Sequence, residues 1–419
     1  MNQPRISFRP LRPAVASDQP TSLDLLVTIT SPSPPEDVQS KQRPPLNLAL
    51  VIDRSGSMSG AKLSNARKAA CFLAGELTAR DRLAIVSFDD EIRVVVPSQP
   101  VRDPQPFIAA INTITSGGCT ALFDGWLAGA MQVAEHLNPA ALNRVLLLSD
   151  GQANEGLTDQ DEIAEKVAGL GQRGVSTSAF GLGLDFDEDL MAAIATAGDG
   201  TLAHIESPQQ LEDLYASELE GLATTIGRRV SLGIRAKHGA EVVDVVNDLT
   251  LTDFGNHQLA NLRLGQELNV AVHLQLPAWR ANQEICSVRL AWDQPGADMR
   301  SSLIEQLTLP VMPAAEVNEL ETDQAVIEEF AVLKANRSRR QALEELDDGD
   351  YQAAEGTLGN VYASLSSLKP SHRLKRELLL INEKKAMLKT NRNRTRKGLR
   401  SESLRSSLDV WEADESKQS

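Results

Sequence analysis

Apolar residues follow two rhythms along this chain, and the places where the rhythm changes divide it. From Leu46 to about Arg228, short apolar runs alternate with stretches of helical spacing. NLALVID (47–53), RLAIVSF (82–88), RVLLLSD (144–150) and VSTSAFGLG (175–183) are continuous enough to be strands buried on both faces. Between them Ala61–Leu77, Phe107–Ile114, Ala121–Leu137, Ile163–Gln172 and Leu190–Ala197 place apolar residues three and four apart, which predicts helices. Ile92–Val96 reads as a hairpin partner of the second strand, TLAHI (201–205) as a last strand and Gln210–Ile226 as a last helix. Strands alternating with helices imply an α/β fold: a parallel, doubly wound sheet covered on both faces.

Outside this block the texture differs. VSLGIRA (230–236), AEVVDVVN (240–247), ELNVAVHLQL (267–276) and ICSVRLAW (285–292) alternate apolar and polar residues, as half-exposed antiparallel strands do, and predict an additional β-sandwich over 229–313. The apolar segment Leu23–Ile29 predicts a strand within 1–45, and it is expected to complete that sandwich, with the α/β block at 46–228 inserted between. From 314 to 390 the spacing turns helical: Val317–Leu346, Gln352–Leu365 and about Arg373–Leu388, with Gly349 and Asp350 marking a turn and a helix cap. GDYQAAEGTL is similar to a tetratricopeptide-type helix start, but no 34-residue period recurs, so no solenoid is expected. Lys369–Arg400 is strongly basic, and 391–419 is expected to be a disordered tail.

Composition narrows the function. The chain has 419 residues, more than one hydrophobic core accommodates, and its formal charge of −15 argues against a surface built as a whole for nucleic acid. Cys71, Cys119 and Cys286 are too scattered for a disulfide framework or a metal knuckle, which points to a reducing, cytoplasmic compartment. No run approaches the roughly 18 apolar residues of a membrane span. The first sixteen residues carry charge and proline where a signal peptide needs an apolar stretch.

Three pieces of the α/β block carry candidate chemistry. VIDRSGSMSG places Asp53, Ser55 and Ser57 directly after a buried strand, at the edge where open α/β sheets bind ligands. SGGCTALFDG supplies Thr120 in a glycine-rich loop before a helix, and LLLSDG supplies Asp150 at the end of another strand. Two carboxylates and three hydroxyls form a hard-oxygen set. With water they would complete an octahedron around Mg²⁺ or Mn²⁺ (or serve Ca²⁺) and leave one position open. On these motifs residues 46–228 resemble a von Willebrand factor A domain with a metal-ion-dependent adhesion site, all five positions matching. The resemblance implies that Asp53, Ser55, Ser57, Thr120 and Asp150 hold the metal and that an acidic side chain of a partner protein fills the open position. The order of segments is also similar to bacterial multi-domain proteins given a calcium-activated chloride channel label, although without a membrane span no pore can be built. The company such proteins keep implies a MoxR-type AAA+ ATPase as partner.

Other signals count for less. GLGLD at 181–185 follows a strand, but Phe186 stands at the third glycine position of a dinucleotide fingerprint, so the glycines are read as turn residues. The six histidines form no metal-ligand pair, and no G-x-S-x-G elbow is present. Asp89, Asp90 and Glu91 are read as a solvated loop rimming the metal site, and Cys119 as a small packed residue. Three functions follow in order: a metal-dependent protein-interaction module; an RNA-associated scaffold resembling the Ro ribonucleoprotein, using the basic segment; and a metal-dependent enzyme with Asp89, Asp90 or Glu91 as base.

Overall fold

The structure, a computed structural model, describes residues 3–34, 43–150, 153–183, 186–205, 210–281, 283–295 and 300–390, together with 395 and 399. The chain opens with β1 (Arg5–Pro10), β2 (Val15–Ala16) and β3 (Thr21–Thr30). It then enters the α/β block, whose strands are β4 (Leu46–Asp53), β5 (Arg82–Phe88), β6 (Ile92–Pro100), β7 (Leu142–Ser149), β8 (Val175–Leu182) and β9 (Leu202–Ile205). These form one sheet in the order β6-β5-β4-β7-β8-β9, parallel throughout except for β6, which runs antiparallel to β5. The central strand β4 is buried at every residue, as its unbroken apolar run requires.

Alternation along β4 sorts its side chains to two cores. Leu46, Leu48, Leu50 and Ile52 pack with helices α1 (Ala61–Glu76), α2 (Gln105–Ile111) and α6 (Leu211–Ala223). Ala49 and Val51 pack with α3 (Leu122–Ala134), α4 (Gln160–Gln172) and α5 (Glu188–Ala197) on the other face. The small residues on the second face let α3 approach closely: a Cβ on Gly129 would stand 2.3 Å from Val51 Cγ2. The expected last helix is shorter than its apolar spacing implied. It stops at Ala223, and Thr225 begins β10 (Thr225–Ala236), because the hydroxyl of Thr225 donates back to Gly221 O while its neighbours join a sheet.

Beyond β10 come β11 (Glu241–Val245), β12 (His257–Gln258), β13 (Leu262–Arg263), β14 (Glu267–Leu276), β15 (Cys286–Asp293), β16 (Arg300–Leu307) and β17 (Val311–Met312). One antiparallel sheet has the order β1-β3-β14-β11, the other β12-β10-β15-β16 with β13 on β10, and their inner faces share one apolar core. The N-terminal β3 pairs with β14 over ten residues, from Thr21 opposite Leu276 to Thr30 opposite Glu267. Strands β1 and β16 escaped the sequence reading; in β16 the outward Ile304 and the inward Ser301 and Glu305 break the period of two.

The expected helix Val317–Leu346 is two helices, α7 (Ala314–Glu319) and α8 (Gln324–Asp347). Leu320 is extended, and Asp323 starts α8 afresh by accepting from the Ala325 and Val326 amides. Val326, Phe330 and Leu333 of α8 cover Leu26, Val246 and Ala271 on the outer face of the first sandwich sheet. Burial of each such side chain contributes about 1.5–3 kcal/mol. Helices α9 (Tyr351–Ser366) and α10 (His372–Thr390) pack onto α8 through a separate cluster. The tail expected at 391–419 lies outside the described residues except at Thr395 and Leu399, both buried and helical, with Leu399 in that cluster. Leu374, Ile381 and Leu388 recur every seven residues, an apolar stripe hidden among the basic side chains, and the buried Thr395 continues the spacing.

Candidate functional site

Strand order in the α/β sheet reverses at β4, which has β5 on one side and β7 on the other. Chains leaving β4 and β7 therefore turn to opposite faces and leave a crevice at their carboxyl ends. Asp53 is the last residue of β4, and Asp150 follows β7 directly. Both are fully buried.

One hydrogen-bonded chain links them. Asp53 Oδ1 accepts from the Ser55 amide at 2.8 Å, which folds the backbone after the strand into a tight turn. Asp53 Oδ2 accepts from Ser149 Oγ at 2.5 Å. The hydroxyls of Ser55 and Ser57 lie 3.1 Å apart, and Ser57 Oγ donates to Asp150 Oδ1 at 2.7 Å. Lys62, in the first turn of α1, forms an ion pair with the other oxygen of Asp150. Gly60, with φ of 77°, is the residue that lets the chain swing into α1 so soon after the turn. Burial pushes the Asp53 carboxyl above its usual range, and the charge of Asp150 adds to this, while the bonds from Ser149 and Ser55 oppose it.

Thr120 arrives on the loop between α2 and α3, which is tied to the same turn by its backbone. Gly117 N donates to Arg54 O at 2.7 Å, and Gly56 N donates to Gly118 O at 3.0 Å. Thr120 itself is buried, its amide donating to Asn154 Oδ1 at 2.9 Å. The structure thus brings Asp53, Ser55, Ser57 and Asp150 into one connected chain and sets the Thr120 loop against it. Ser57 and Gly56 are exposed, so the crevice opens to solvent.

Two expectations require correction. Asp89 is not a solvated rim residue: it is 2 % exposed, and its Oδ1 takes the Arg54 guanidinium at 2.5 Å. It also accepts from Glu91 N at 2.8 Å and Gly118 N at 3.0 Å, so it pins the Thr120 loop to the end of β4. The loop has no room for a side chain there, since a Cβ on Gly117 would stand 1.8 Å from Asp89 Oδ2. Cys119 is exposed rather than packed, because the glycines on its amino side lie against Asp89 and Asp90 and leave its side chain outside. Arg54, Lys62, Ser149 and Asn154 also belong to the site and were missed. Asp89 could have been found, because it follows the strand that a doubly wound order sets beside β4. In GLGLD, Gly183 is a turn residue with φ of 83°, whereas Gly181 lies within β8, where the Phe186 ring occupies the space its side chain would need; 184 and 185 lie outside the described residues.

The donor set fits a hard divalent cation. Two mutually repelling buried carboxylates face a single ammonium, and every other donor is a hydroxyl or an amide oxygen. Among the described residues no three His, Cys, Asp or Glu side chains converge, so no thiolate or imidazole cluster offers an alternative there. Nor is any helix among them long and apolar enough to cross a membrane.

Comparison with known proteins agrees with this architecture. Residues 47–217 match the von Willebrand factor type A domain family. The chain is 27 % identical over 327 residues to the uncharacterized protein sll0103 of Synechocystis sp., covering 75 % of this chain and 77 % of that one. It is 29 % identical over 201 residues to the uncharacterized protein YfbK of Escherichia coli, covering 48 % of this chain but only 35 % of YfbK. Among solved structures, a von Willebrand factor type A protein from Catenulispora acidiphila superposes with a TM-score of 0.69 over 98 % of both chains, at 17 % identity, a likeness of fold.

Proposed function

Because residues 47–217 form a von Willebrand factor type A domain, a type that is typically a protein-interaction module, we propose that the chain binds a partner protein through a divalent cation held by Asp53, Ser55, Ser57, Thr120 and Asp150. The observation that carries this reading is the connected chain Asp53–Ser55–Ser57–Asp150 at the carboxyl edge of the sheet, in which Ser57 is exposed. When bound, Mg²⁺ (or Mn²⁺ or Ca²⁺) would supply an electrophilic centre for a glutamate or aspartate of the partner.

The protein's own groups do the rest. The Ser55 amide and Ser149 hydroxyl orient Asp53 so that its carboxylate stays aimed at the edge. Neutral hydroxyls, rather than more carboxylates, surround the site and keep negative charge low enough for an external carboxylate to approach. The Arg54–Asp89 pair holds the Thr120 loop in place before any partner arrives. The role is binding rather than catalysis, and a MoxR-type AAA+ ATPase is the partner class the resemblance implies.

The test is Mn²⁺ binding followed by electron paramagnetic resonance, in wild type and in Asp53→Ala and Asp150→Asn, with circular dichroism to confirm folding. One site in wild type, lost in both variants, is expected, together with partner capture that needs Mg²⁺ and fails in EDTA. Folded wild-type protein that takes up no Mn²⁺ refutes the reading.

A further inference from the structure

A second surface lies at the opposite end of the α/β domain from Asp53 and Asp150. A cleft of about 1750 Å³ runs between the amino-terminal ends of β7, β8 and β9, near Pro139, Gln172 and Gly200, and the outer face of the sandwich sheet β12-β10-β15-β16. Strand register decides what faces it. Gly233 stands opposite Arg289, Arg289 opposite Ile304, and Arg235 opposite Ser287. Arg235, Arg289 and Ile304 therefore share one face, and the buried Leu232, Val288 and Leu290 take the other.

Three of the six arginines lining the cleft are ion-paired, and Arg228 donates to the Ala141 and Pro139 carbonyls. Arg229 and Arg300 both pair with Asp293, and Arg340 pairs with Asp248. Arg235 and Arg289 differ: both are exposed, and neither has a carboxylate in ion-pair reach among the described residues. They sit diagonally on neighbouring strands, roughly 7–8 Å apart at the backbone.

Beside them, large apolar side chains stand in water: Leu251 is 58 % exposed, Phe254 90 % and Ile304 57 %. Phe254 is presented by a built turn, in which Thr252 N donates to Asn256 O and Gly255 N to Thr252 O, each at 2.8 Å. The turn rests on the sheet because Gly233 has no side chain; a Cβ there would stand 2.6 Å from Asn256 Oδ1. An aromatic held out to solvent beside arginines without an ion-pair partner among the described residues has the composition of a protein-interaction surface rather than of idle surface.

We infer that this cleft docks an extended acidic segment of a partner protein, with Asp or Glu at positions i and i+2 and an apolar residue close by. Residues i and i+2 of an extended chain project to one side roughly 6.5–7 Å apart, which matches the Arg235–Arg289 spacing. The neighbouring apolar residue covers Phe254, Leu251 or Ile304. Charge selects a short acidic segment over nucleic acid: six arginines and four aspartates line the cleft, an excess of two positive charges that two carboxylates satisfy, whereas the longer run of phosphates in a nucleic acid would extend onto a chain that carries −15 overall.

The test uses the full chain in EDTA, which removes any metal-bridged contact, and a fluorescein-labelled peptide containing Glu-x-Glu and a tryptophan. Its counterpart with Lys for each Glu and a single-stranded RNA serve as competing probes. The acidic peptide should bind, Arg235→Glu and Arg289→Glu should each weaken it by about tenfold or more, and Phe254→Ser by severalfold. These side chains are exposed, so circular dichroism and melting should be unchanged. Asp53→Ala should bind the peptide like wild type. The inference is overturned by no binding, by arginine variants that bind like wild type, by loss of binding in Asp53→Ala, or by RNA that binds more tightly than the peptide.

Discussion

Arg54→Met tests whether the buried pair beside the metal site holds the Thr120 loop. The side chains of Arg54 and Asp89 are 7 % and 3 % exposed, so the substitution strands the Asp89 carboxylate away from water. Two backbone amides still reach it, from Glu91 and Gly118, but no opposite charge replaces the guanidinium. Breaking a buried pair on one side costs about 3–5 kcal/mol, because the remaining charge is uncompensated. Removing both charges is different: Arg54→Met with Asp89→Asn keeps an acceptor for one of the two amides, that of Gly118, and leaves no buried charge, so it should recover much of the loss. Amide hydrogen exchange at Gly118 and Ala121 reads the local effect, since both amides donate to Asp89. Arg54→Met should speed exchange there by two orders of magnitude or more, about 1.4 kcal/mol per factor of ten, and the double variant should restore slow exchange. An effect of Arg54→Met below about 1 kcal/mol, or a double variant no better than the single, would refute the assignment.

Further substitutions probe the surroundings. Lys62→Met removes the ammonium paired with Asp150, so Mn²⁺ should bind more tightly, by up to about tenfold; weaker binding would show that Lys62 supports the site instead of competing for it. Gly125→Ala sets helix propensity against packing: alanine favours the helix by about 1 kcal/mol, but its Cβ would stand 2.4 Å from Phe88 Cγ. Overpacking of about 1–3 kcal/mol should win, and a raised melting temperature would contradict the close approach of α3 to β5. Asp199 is half-buried, and its removal from water pushes its carboxyl up to about 6, opposed by Arg144. The folded state thus holds that proton better than the unfolded chain. Stability from this residue is greatest below about pH 4 and falls as pH rises to about 6. Asp199→Asn should lack that fall, its melting advantage over wild type growing between pH 4 and 6, and Asn also tolerates the residue's φ of 50°. Parallel melting curves for the two proteins across that range would argue against the shift.

Sequence alone determined what depends on neighbours along the chain. Five apolar runs in the α/β block became β4, β5, β7, β8 and β9, because a strand buried on both faces needs unbroken apolar residues whatever its partners are. Asp53, Ser55 and Ser57 were legible together because one tight turn after β4 gathers them within five residues. Thr120 and Asp150 were legible as strand-end and loop residues, but the register of β4 against β7 and the loop's backbone bonds to Arg54 and Gly56 are what set them at the same edge. Only the tertiary structure decided who pairs with whom at long range. Asp89 looked solvated in sequence, since three adjacent acids usually are; it is buried because β5 lies beside β4 and delivers it to Arg54. Lys62 and Ser149 carry no signal of their own, yet folding places them on Asp150 and Asp53. The break at Leu320–Asp323 likewise came from a cap competing with continuous helical spacing, a contest that periodicity does not register. The edge strand β16 breaks its own alternation with an outward Ile304 and inward Ser301 and Glu305, and its partner β15, like β3 for β1, is what reveals it. Local pattern sets which element forms, whereas burial of a charge depends on chain segments tens to hundreds of residues away.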